Sequence, residues 1–189
     1  MRIGPSFLLM QITWARIVLI PVVMGLVLVG DEVDNAYVVA ALLFAIAAAT
    51  DFVDGYLARR WNVTSTLGSF LDTTADKLLV SGVLIALVAV ERASAWIATI
   101  IVGRELLILG LRGLVAADGM VMPPSVWGKL KAGVQFVAIT FAIVRFPAEL
   151  GPLHADEWLM LAAAAITVMS GVEYLARFRG FLRAPSRSE

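Results

Sequence analysis

Long apolar blocks separated by short charged segments dominate this sequence of 189 residues. Hydrophobic residues make up 60% of the chain and charged residues 16%, so a soluble domain would lack the polar surface to cover its core. Blocks of this kind are typical of membrane-spanning helices, because lipid cannot satisfy an open backbone. We predict an all-α integral membrane protein, with residues 1–189 as one domain ending in a basic tail at 177–189. The six predicted spans are residues 7–29, 36–59, 68–90, 94–117, 127–146 and 157–178.

The composition also excludes several kinds of site. The chain has no cysteine and one histidine, so disulfides, thiolate chemistry and a histidine-based zinc site are excluded. The formal net charge is zero, and we therefore expect no nucleic-acid partner.

The distribution of basic residues predicts how the spans are oriented. Acidic residues of the first loop, Asp31, Glu32 and Asp34, would lie outside the cell, which agrees with the positive-inside tendency. Both termini and the polar residues between the second and third spans would then face the cytoplasm, in the inner membrane, with the first apolar block retained as a span. The basic residues predicted at the inner face are Arg2, Arg59, Arg60, Lys129, Lys131, Arg177, Arg179, Arg183 and Arg187.

Four aspartates lie at the facing ends of the second and third predicted spans. Asp51 and Asp54 are three residues apart and Asp72 and Asp76 are four apart, so each pair forms a stripe on its helix. Four adjacent carboxylates require protonation, pairing with Arg or Lys, or metal ions. An all-oxygen set favours Mg²⁺ or Mn²⁺ over zinc. Each aspartate alone is also explained as an ordinary charge at a span end, but the two matching spacings favour a site.

The residues around these aspartates resemble the signature of the CDP-alcohol phosphotransferase family. The matching positions are Asp51-x-x-Asp54-Gly55-x-x-Ala58-Arg59 and, eight residues later, Gly68-x-x-x-Asp72-x-x-x-Asp76. The resemblance implies a six-helix membrane enzyme, usually a homodimer. It implies that Asp51, Asp54, Asp72 and Asp76 bind Mg²⁺ or Mn²⁺, as two ions, and that Asp76 is also the general base. Its implied contacts to the CDP group are Asp54, Gly55, Ala58, Arg59 and Gly68.

Further motifs are similar to the phosphatidylglycerophosphate synthase branch of that family. They are Thr13-x-x-Arg16 with Ile20-Pro21, Ala75-Asp76-Lys77, Arg104-Glu105-Leu106 with Leu111-Arg112, and Trp127-Gly128-Lys129-x-Lys131. This branch implies CDP-diacylglycerol as the donor and glycerol 3-phosphate as the acceptor. The implied acceptor-phosphate residues are Arg104, Arg112, Lys129 and Lys131. The chain departs from the branch at Leu9-Met10-Gln11, where a Pro-Asn pair is common, and at Thr73, where proline is common.

Several alternatives remain open for the basic residues and for the function. Arg104 lies well inside a span, where it either serves a pocket or forms an ion pair with Glu105. Lys129 and Lys131 are two residues apart, so at most one is expected to face the pocket squarely. The acceptor could instead be inositol phosphate or phosphatidylglycerol. A cation transporter using the aspartates is a more remote hypothesis, because inverted repeats are not seen.

Overall fold

The structure, a computed structural model, describes residues 5–61, 66–117, 126–145 and 148–182. For residues 51–61 it describes the backbone alone. These ranges contain six α-helices and one short β-hairpin. The helices are α1 (Pro5–Leu28), α2 (Ala36–Trp61), α3 (Thr66–Ala89), α4 (Ala95–Ala117), α5 (Val126–Val144) and α6 (Ala155–Leu182). The prediction of six helices is confirmed, and each predicted span matches one helix with its ends displaced by a few residues.

The β-hairpin between α5 and α6 is the one element that the sequence did not predict. Strands β1 (Glu149–Leu150) and β2 (Leu153–His154) pair antiparallel. Gly151 occupies the turn with a φ of 75°, a conformation that glycine adopts without a steric penalty. Two-residue strands lack the alternating pattern by which a strand is recognised in a sequence.

Local hydrogen bonds explain where two of the helices end and begin. After α3, Glu91 adopts a φ of 57°, and the Arg92 amide donates to the Leu87 carbonyl at 2.8 Å, a Schellman-type closure. Before α6, the His154 amide donates to Glu157 Oε2 at 2.8 Å, as in a capping box. The backbone hydrogen-bonding groups at these two helix ends thus find partners among residues close in sequence.

The six helices form a closed ring in the order α1, α3, α4, α6, α5 and α2, with α3 also touching α5 across it. Helices α2 and α3, which carry the aspartates, make few contacts with each other and both pack on α1. Gly82 of α3 permits the close approach to α1, since a Cβ there would lie 2.8 Å from Met24 Sδ. At the helix ends that are remote from the aspartates, Arg92 Nη1 donates to the carbonyl oxygen of Ile143 at 2.7 Å. The Cζ atom of Arg92 lies 3.4 Å from the centroid of the Tyr37 ring.

The interior contains an apolar core and, within it, several charged and polar side chains. The core includes Phe44, Leu79, Leu84, Ile101 and Ile139, and the buried polar side chains include Arg16, Glu105, Lys131 and Gln135. Large apolar side chains also form exposed stripes on every helix, whereas a soluble monomer rarely exposes extended apolar patches. The stripes include Trp14, Val18 and Val22; Val38, Leu42 and Ile46; Leu78 and Ile85; Ile100, Leu107 and Leu114; Leu130, Val137 and Val144; and Leu161, Val168 and Val172.

Two of the described helical segments are long and apolar enough to cross a bilayer, Met10–Leu28 and Ala155–Arg179. Two further apolar segments, Ala36–Thr50 and Leu130–Val144, are shorter. Together with the exposed apolar stripes, these segments indicate a membrane protein.

Candidate active site

Two of the four predicted aspartates lie on one face of α3, close to its N-terminal end. Asp72 and Asp76 are one helical turn apart, with side chains 36% and 20% exposed. Gly68 continues the same stripe one turn earlier and is partly buried. The side chains of the other predicted donor-site residues lie outside the part that the structure describes, although their backbone forms the last turns of α2. These residues are Asp51, Asp54, Gly55, Ala58 and Arg59.

Asp72 is held by an arginine from a different helix. Arg16 of α1 is 1% exposed, and its Nη1 atom lies 2.9 Å from Asp72 Oδ1. A guanidinium buried among apolar helices costs several kcal/mol unless an anion compensates it. Asp72 supplies that anion while keeping part of its carboxylate exposed, so the pair fixes the carboxylate without enclosing it.

Asp76 is paired with the lysine that follows it in sequence. Lys77 Nζ lies 2.6 Å from Asp76 Oδ2, and the lysine side chain is 24% exposed. Neighbouring residues on a helix point about 100° apart, so this contact requires the long lysine stem to bend towards the aspartate. The pairing therefore places a cation directly beside the Asp76 carboxylate.

Glu105 is the centre of a cluster of cations in the interior of the helix ring. Its side chain is 2% exposed. Lys77 Nζ of α3 lies 2.9 Å from Oε2, Lys131 Nζ of α5 hydrogen-bonds Oε1, and Arg104 Nη1 lies 3.4 Å from Oε1. One carboxylate thereby joins three helices through three ion pairs.

Counted over the side chains that the structure describes, this cluster carries more positive than negative charge. Lys77, Arg104 and Lys131 supply three positive charges, against two negative charges from Glu105 and Asp76. An unbalanced charge in a low-dielectric interior is unfavourable unless an anion or water compensates it. The arrangement is therefore suited to receive an anionic ligand beside Asp76.

Arg104 is oriented by two helices. Its Nη2 atom donates to Ser170 Oγ of α6 at 2.7 Å, in addition to the ion pair with Glu105. Gly171 lies beside the stem, since a Cβ there would approach Arg104 Cγ to 3.4 Å. The ion pair that the sequence allowed as an alternative is thus present, and binding of the acceptor phosphate by Arg104 stays a prediction.

The structure separates the other predicted acceptor residues. Lys131 is 4% exposed and points to Glu105, whereas Arg112 is exposed two turns further along α4. Eight residues of helix place Arg112 about 12 Å from Arg104 along the axis. The Lys129 side chain lies outside the described part. The cluster around Glu105 therefore brings Arg104 and Lys131 together and leaves Arg112 apart.

The donor chemistry of Asp72 and Asp76 fits a hard divalent cation. Both provide carboxylate oxygens, both are partly exposed, and both lie beside a cationic side chain. Among the side chains that the structure describes, no three acidic, histidine or cysteine residues converge on one point. The predicted set of four requires Asp51 and Asp54, which are not among those side chains.

The sequence interpretation did not identify the contacts of Arg16 with Asp72 or of Lys77 with Asp76 and Glu105. It used Arg16 only as a mark of resemblance, it considered Lys77 as a mark of resemblance and a nearby positive charge, and it considered Glu105 only as a partner of Arg104. The available signal was a charge inside an apolar span, because such charges face a polar interior. The identity of their partners was not readable, since α1 and α4 reach α3 only through the tertiary fold.

Comparison with known proteins identifies a family that matches most of the chain. Residues 9–169, which include all of the predicted site residues, match the profile of the CDP-alcohol phosphatidyltransferase family. A Bacillus subtilis (strain 168) protein named CDP-diacylglycerol–glycerol-3-phosphate 3-phosphatidyltransferase is 40% identical over 178 residues, which is 88% of this chain and 92% of its own.

Two further relatives carry related names. A Pseudomonas fluorescens protein with the same name is 34% identical over 184 residues, 94% of this chain and 93% of its own. A Mycobacterium tuberculosis (strain ATCC 25618 / H37Rv) protein named probable phosphatidylglycerophosphate synthase is 39% identical over 168 residues, 88% of this chain and 78% of its own. With its signature motif, its six helices and a match over most of its length, this chain belongs to the CDP-alcohol phosphatidyltransferase family.

Proposed function

We propose that this protein transfers the phosphatidyl group of CDP-diacylglycerol to glycerol 3-phosphate, giving phosphatidylglycerophosphate and CMP. The observation that carries this proposal is the similarity along most of the chain to relatives named for this reaction. The excess of positive charge around Glu105, beside Asp76, supports an acceptor that itself carries a phosphate.

The reaction exchanges one phosphorus–oxygen bond for another. A hydroxyl oxygen of glycerol 3-phosphate bonds to the phosphorus of the phosphatidyl group, and the bond from that phosphorus to the bridging oxygen of CMP breaks. CMP leaves with the bridging oxygen, and the hydroxyl proton passes to a base. Asp76 is the proposed base, because it is a partly exposed carboxylate that lies beside the cation cluster and can accept a proton.

The four aspartates Asp51, Asp54, Asp72 and Asp76 are the proposed ligands of two Mg²⁺ or Mn²⁺ ions. Members of the family generally depend on divalent metals. Bound there, such ions would neutralise the diphosphate and stabilise the departing CMP. The protein's own contribution is to hold the carboxylates in place, which Arg16 does for Asp72 and Lys77 for Asp76.

The proposed contacts to the CDP group lie on the same two helix ends. Asp54, Gly55, Ala58 and Arg59 follow one another in the last turns of α2, and Gly68 lies in the first turn of α3. Small residues permit a diphosphate to approach the helix backbone, and an arginine matches the geometry of phosphate oxygens.

Arg104, Arg112, Lys129 and Lys131 are the proposed acceptor-phosphate residues. Lys131 and Arg104 have the strongest support, because both are held at Glu105 in a region with surplus positive charge. Both already have a partner in Glu105, so an arriving phosphate would share these cations. Charge-assisted hydrogen bonds of this kind are roughly twice as strong as neutral ones.

The proposed membrane arrangement has six spans, with both termini and the active site at the cytoplasmic face of the inner membrane. The exposed apolar stripe on each helix and the buried charges of the ring support six spans. The homodimer that the family resemblance implies is part of the same proposal.

The experiment that tests the function measures CMP release by the purified protein. CDP-diacylglycerol and Mg²⁺ are supplied with glycerol 3-phosphate, inositol phosphate or phosphatidylglycerol, and a chelator is used to remove the metal. We expect metal-dependent CMP release with glycerol 3-phosphate and the formation of phosphatidylglycerophosphate. The matched control is Glu157→Gln, which neutralises an exposed carboxylate at the opposite end of the molecule.

CMP release with one of the other acceptors, but not with glycerol 3-phosphate, would contradict the proposed acceptor while retaining the family chemistry. Absence of CMP release with every acceptor, accompanied by cation flux into vesicles, would support the transporter hypothesis instead.

A further inference from the structure

Glu105 is the most deeply buried acidic side chain of the cation cluster. It is 2% exposed, and it lies on α4, a helix that carries none of the signature aspartates. A carboxylate in this environment is costly unless it is paired and hydrogen-bonded. One cation would suffice to compensate its charge, whereas the structure gives it three.

The two oxygens of Glu105 have different partners. Oε1 faces Lys131 and Arg104, whereas Oε2 lies 2.9 Å from Lys77 Nζ. The same Lys77 Nζ atom lies 2.6 Å from Asp76 Oδ2. Lys77 therefore bridges two carboxylates, one on α4 and one on α3, in a continuous chain from Glu105 to Asp76.

Lys77 needs an external partner to hold this position. A lysine side chain has about 2 kcal/mol of rotamer entropy, and its ammonium is a freely rotating point charge. Its contact with Asp76 also joins neighbouring residues of one helix, which do not face each other. The fixed carboxylate of Glu105, itself held from α5 by Lys131, places the ammonium where it reaches Asp76 Oδ2.

We propose that Glu105 is a positioning residue that orients the Asp76 carboxylate through Lys77. Glu105 itself touches neither the substrates nor the reacting atoms. With Oδ2 held by Lys77, Asp76 presents Oδ1 to the acceptor hydroxyl or to a cation. This inference deepens the proposed function and relies on it for the role of Asp76.

The competing explanation is that Glu105 only fastens α3, α4 and α5 together. The two explanations differ in what Glu105→Asp does. That variant retains every charge but withdraws the carboxylate by about 1.5 Å, the length of one carbon–carbon bond. A fastening role predicts lower stability with unchanged turnover per folded molecule, whereas a positioning role predicts lower turnover.

The test is a double-mutant cycle of Glu105→Asp, Lys77→Met and both together, assayed for CMP release at saturating substrates. We expect each single variant to lower kcat by about 10- to 100-fold, the effect of misplacing a catalytic group by about 1 Å. The double variant should be no slower than the slower single variant, because both changes interrupt one chain of contacts. The KM for glycerol 3-phosphate should change by less than about threefold.

Three kinetic outcomes would overturn the proposal. The first is a kcat of Glu105→Asp within about twofold of the wild type per folded molecule. The second is a double variant whose loss is the product of the single losses, which would show that Glu105 acts independently of Lys77. The third is a loss confined to the KM for glycerol 3-phosphate, which would place the effect on Lys131 and the acceptor.

The matched control removes a different buried polar contact. Gln135 Nε2 of α5 donates to Thr167 Oγ1 of α6 at 2.8 Å, and both side chains are buried. Replacing both partners by apolar residues of similar shape, in Gln135→Leu with Thr167→Val, is nearly neutral for stability. We expect this control to leave kcat unchanged, and size-exclusion chromatography gives the folded fraction of every variant.

A second readout needs no turnover. Mn²⁺ binding is titrated by electron paramagnetic resonance in the wild type, in Glu105→Asp and in Lys77→Met with and without Glu105→Asp. We expect Glu105→Asp to weaken Mn²⁺ binding in the wild-type background and to have no effect once Lys77 is methionine. An equal effect in both backgrounds would contradict a route through Lys77. If the wild type releases no CMP with any acceptor, the proposed function fails, and this titration still decides the positioning role.

Discussion

Arg16 and Asp72 form an ion pair between α1 and α3, with Arg16 Nη1 2.9 Å from Asp72 Oδ1. The two partners differ in environment, since the arginine side chain is 1% exposed and the aspartate side chain 36%. Arg16 therefore loses most of its hydration on folding, whereas Asp72 keeps part of its carboxylate surface exposed for a ligand. Asp76 has a corresponding partner in Lys77, so both described aspartates are held by cations.

Replacing Arg16 should impair turnover more than stability. Arg16→Met removes the buried charge together with its desolvation cost and leaves a carboxylate that water can reach, so we expect stability to change by about 1 kcal/mol or less. The released Asp72 should lose its fixed orientation, and CMP release should fall by about tenfold or more. Thermal unfolding measures the change in stability, and CMP release measures the change in turnover.

The control for Arg16 is Arg177→Met, which breaks the exposed pair between Arg177 and Glu173. We expect that variant to keep wild-type turnover. Unchanged turnover in Arg16→Met would show that Asp72 does not depend on its partner.

Replacing Asp76 tests its assignment as base. Asp76→Asn keeps the shape of the side chain but cannot accept the hydroxyl proton, and CMP release should fall to background. The protein should remain folded, because Asp76 is partly exposed and its partner Lys77 retains Glu105. Size-exclusion chromatography and thermal unfolding establish folding, and full turnover in this variant would refute the assignment.

Replacing Lys131 tests the acceptor-phosphate assignment. In Lys131→Met, Glu105 retains Lys77 and Arg104, so the cluster keeps two of its ion pairs. Loss of a charged hydrogen bond to a phosphate is worth about 1.5–3 kcal/mol, so the KM for glycerol 3-phosphate should rise by roughly 10- to 150-fold. The KM for CDP-diacylglycerol should stay the same. A rise in the KM for CDP-diacylglycerol instead would show that Lys131 contributes to nucleotide binding or to the stability of the fold.

Gly82 provides a prediction about the packing of α1 on α3. A Cβ at this position would lie 2.8 Å from Met24 Sδ and 3.3 Å from Ile20 Cγ2. Gly82→Val should therefore destabilise the protein by about 1–3 kcal/mol, as overpacking does. The control is Gly133→Ala, where nothing lies within 4 Å of the added carbon and the helix should gain up to about 1 kcal/mol. Thermal unfolding compares the two, and equal stability of both variants would contradict a tight helix contact.

The proposed orientation can be tested with single cysteines, because the chain has none of its own. Asp34→Cys, in the loop before α2, should react with a membrane-impermeant maleimide on spheroplasts whose inner membrane is intact. Arg60→Cys, at the other end of α2, should react only after the inner membrane is permeabilised. The reverse labelling pattern would place the active site outside the cell.

Much of this protein was predictable from its sequence, because the relevant signals are local. Long apolar blocks require helices in a lipid environment, and all six helices lie where those blocks predicted them. The spacing of Asp72 and Asp76 places them on one face of α3 through helical periodicity alone. The family signature could also be read directly, because it consists of residues at fixed separations along the chain.

The tertiary structure alone decided what holds the site residues. Arg16 and Asp72 are 56 residues apart in sequence, and Lys131 is 26 residues from Glu105. A sequence shows that such charges lie inside apolar spans and must be compensated, but it does not show by which partner. Partners are selected by which helices adjoin in the ring, and that order depends on packing between distant segments. The four aspartates could therefore be proposed as a group from the sequence, whereas the contacts of Arg16 with Asp72, and of Lys77 with Asp76 and Glu105, became visible only when α1, α3 and α4 were brought together.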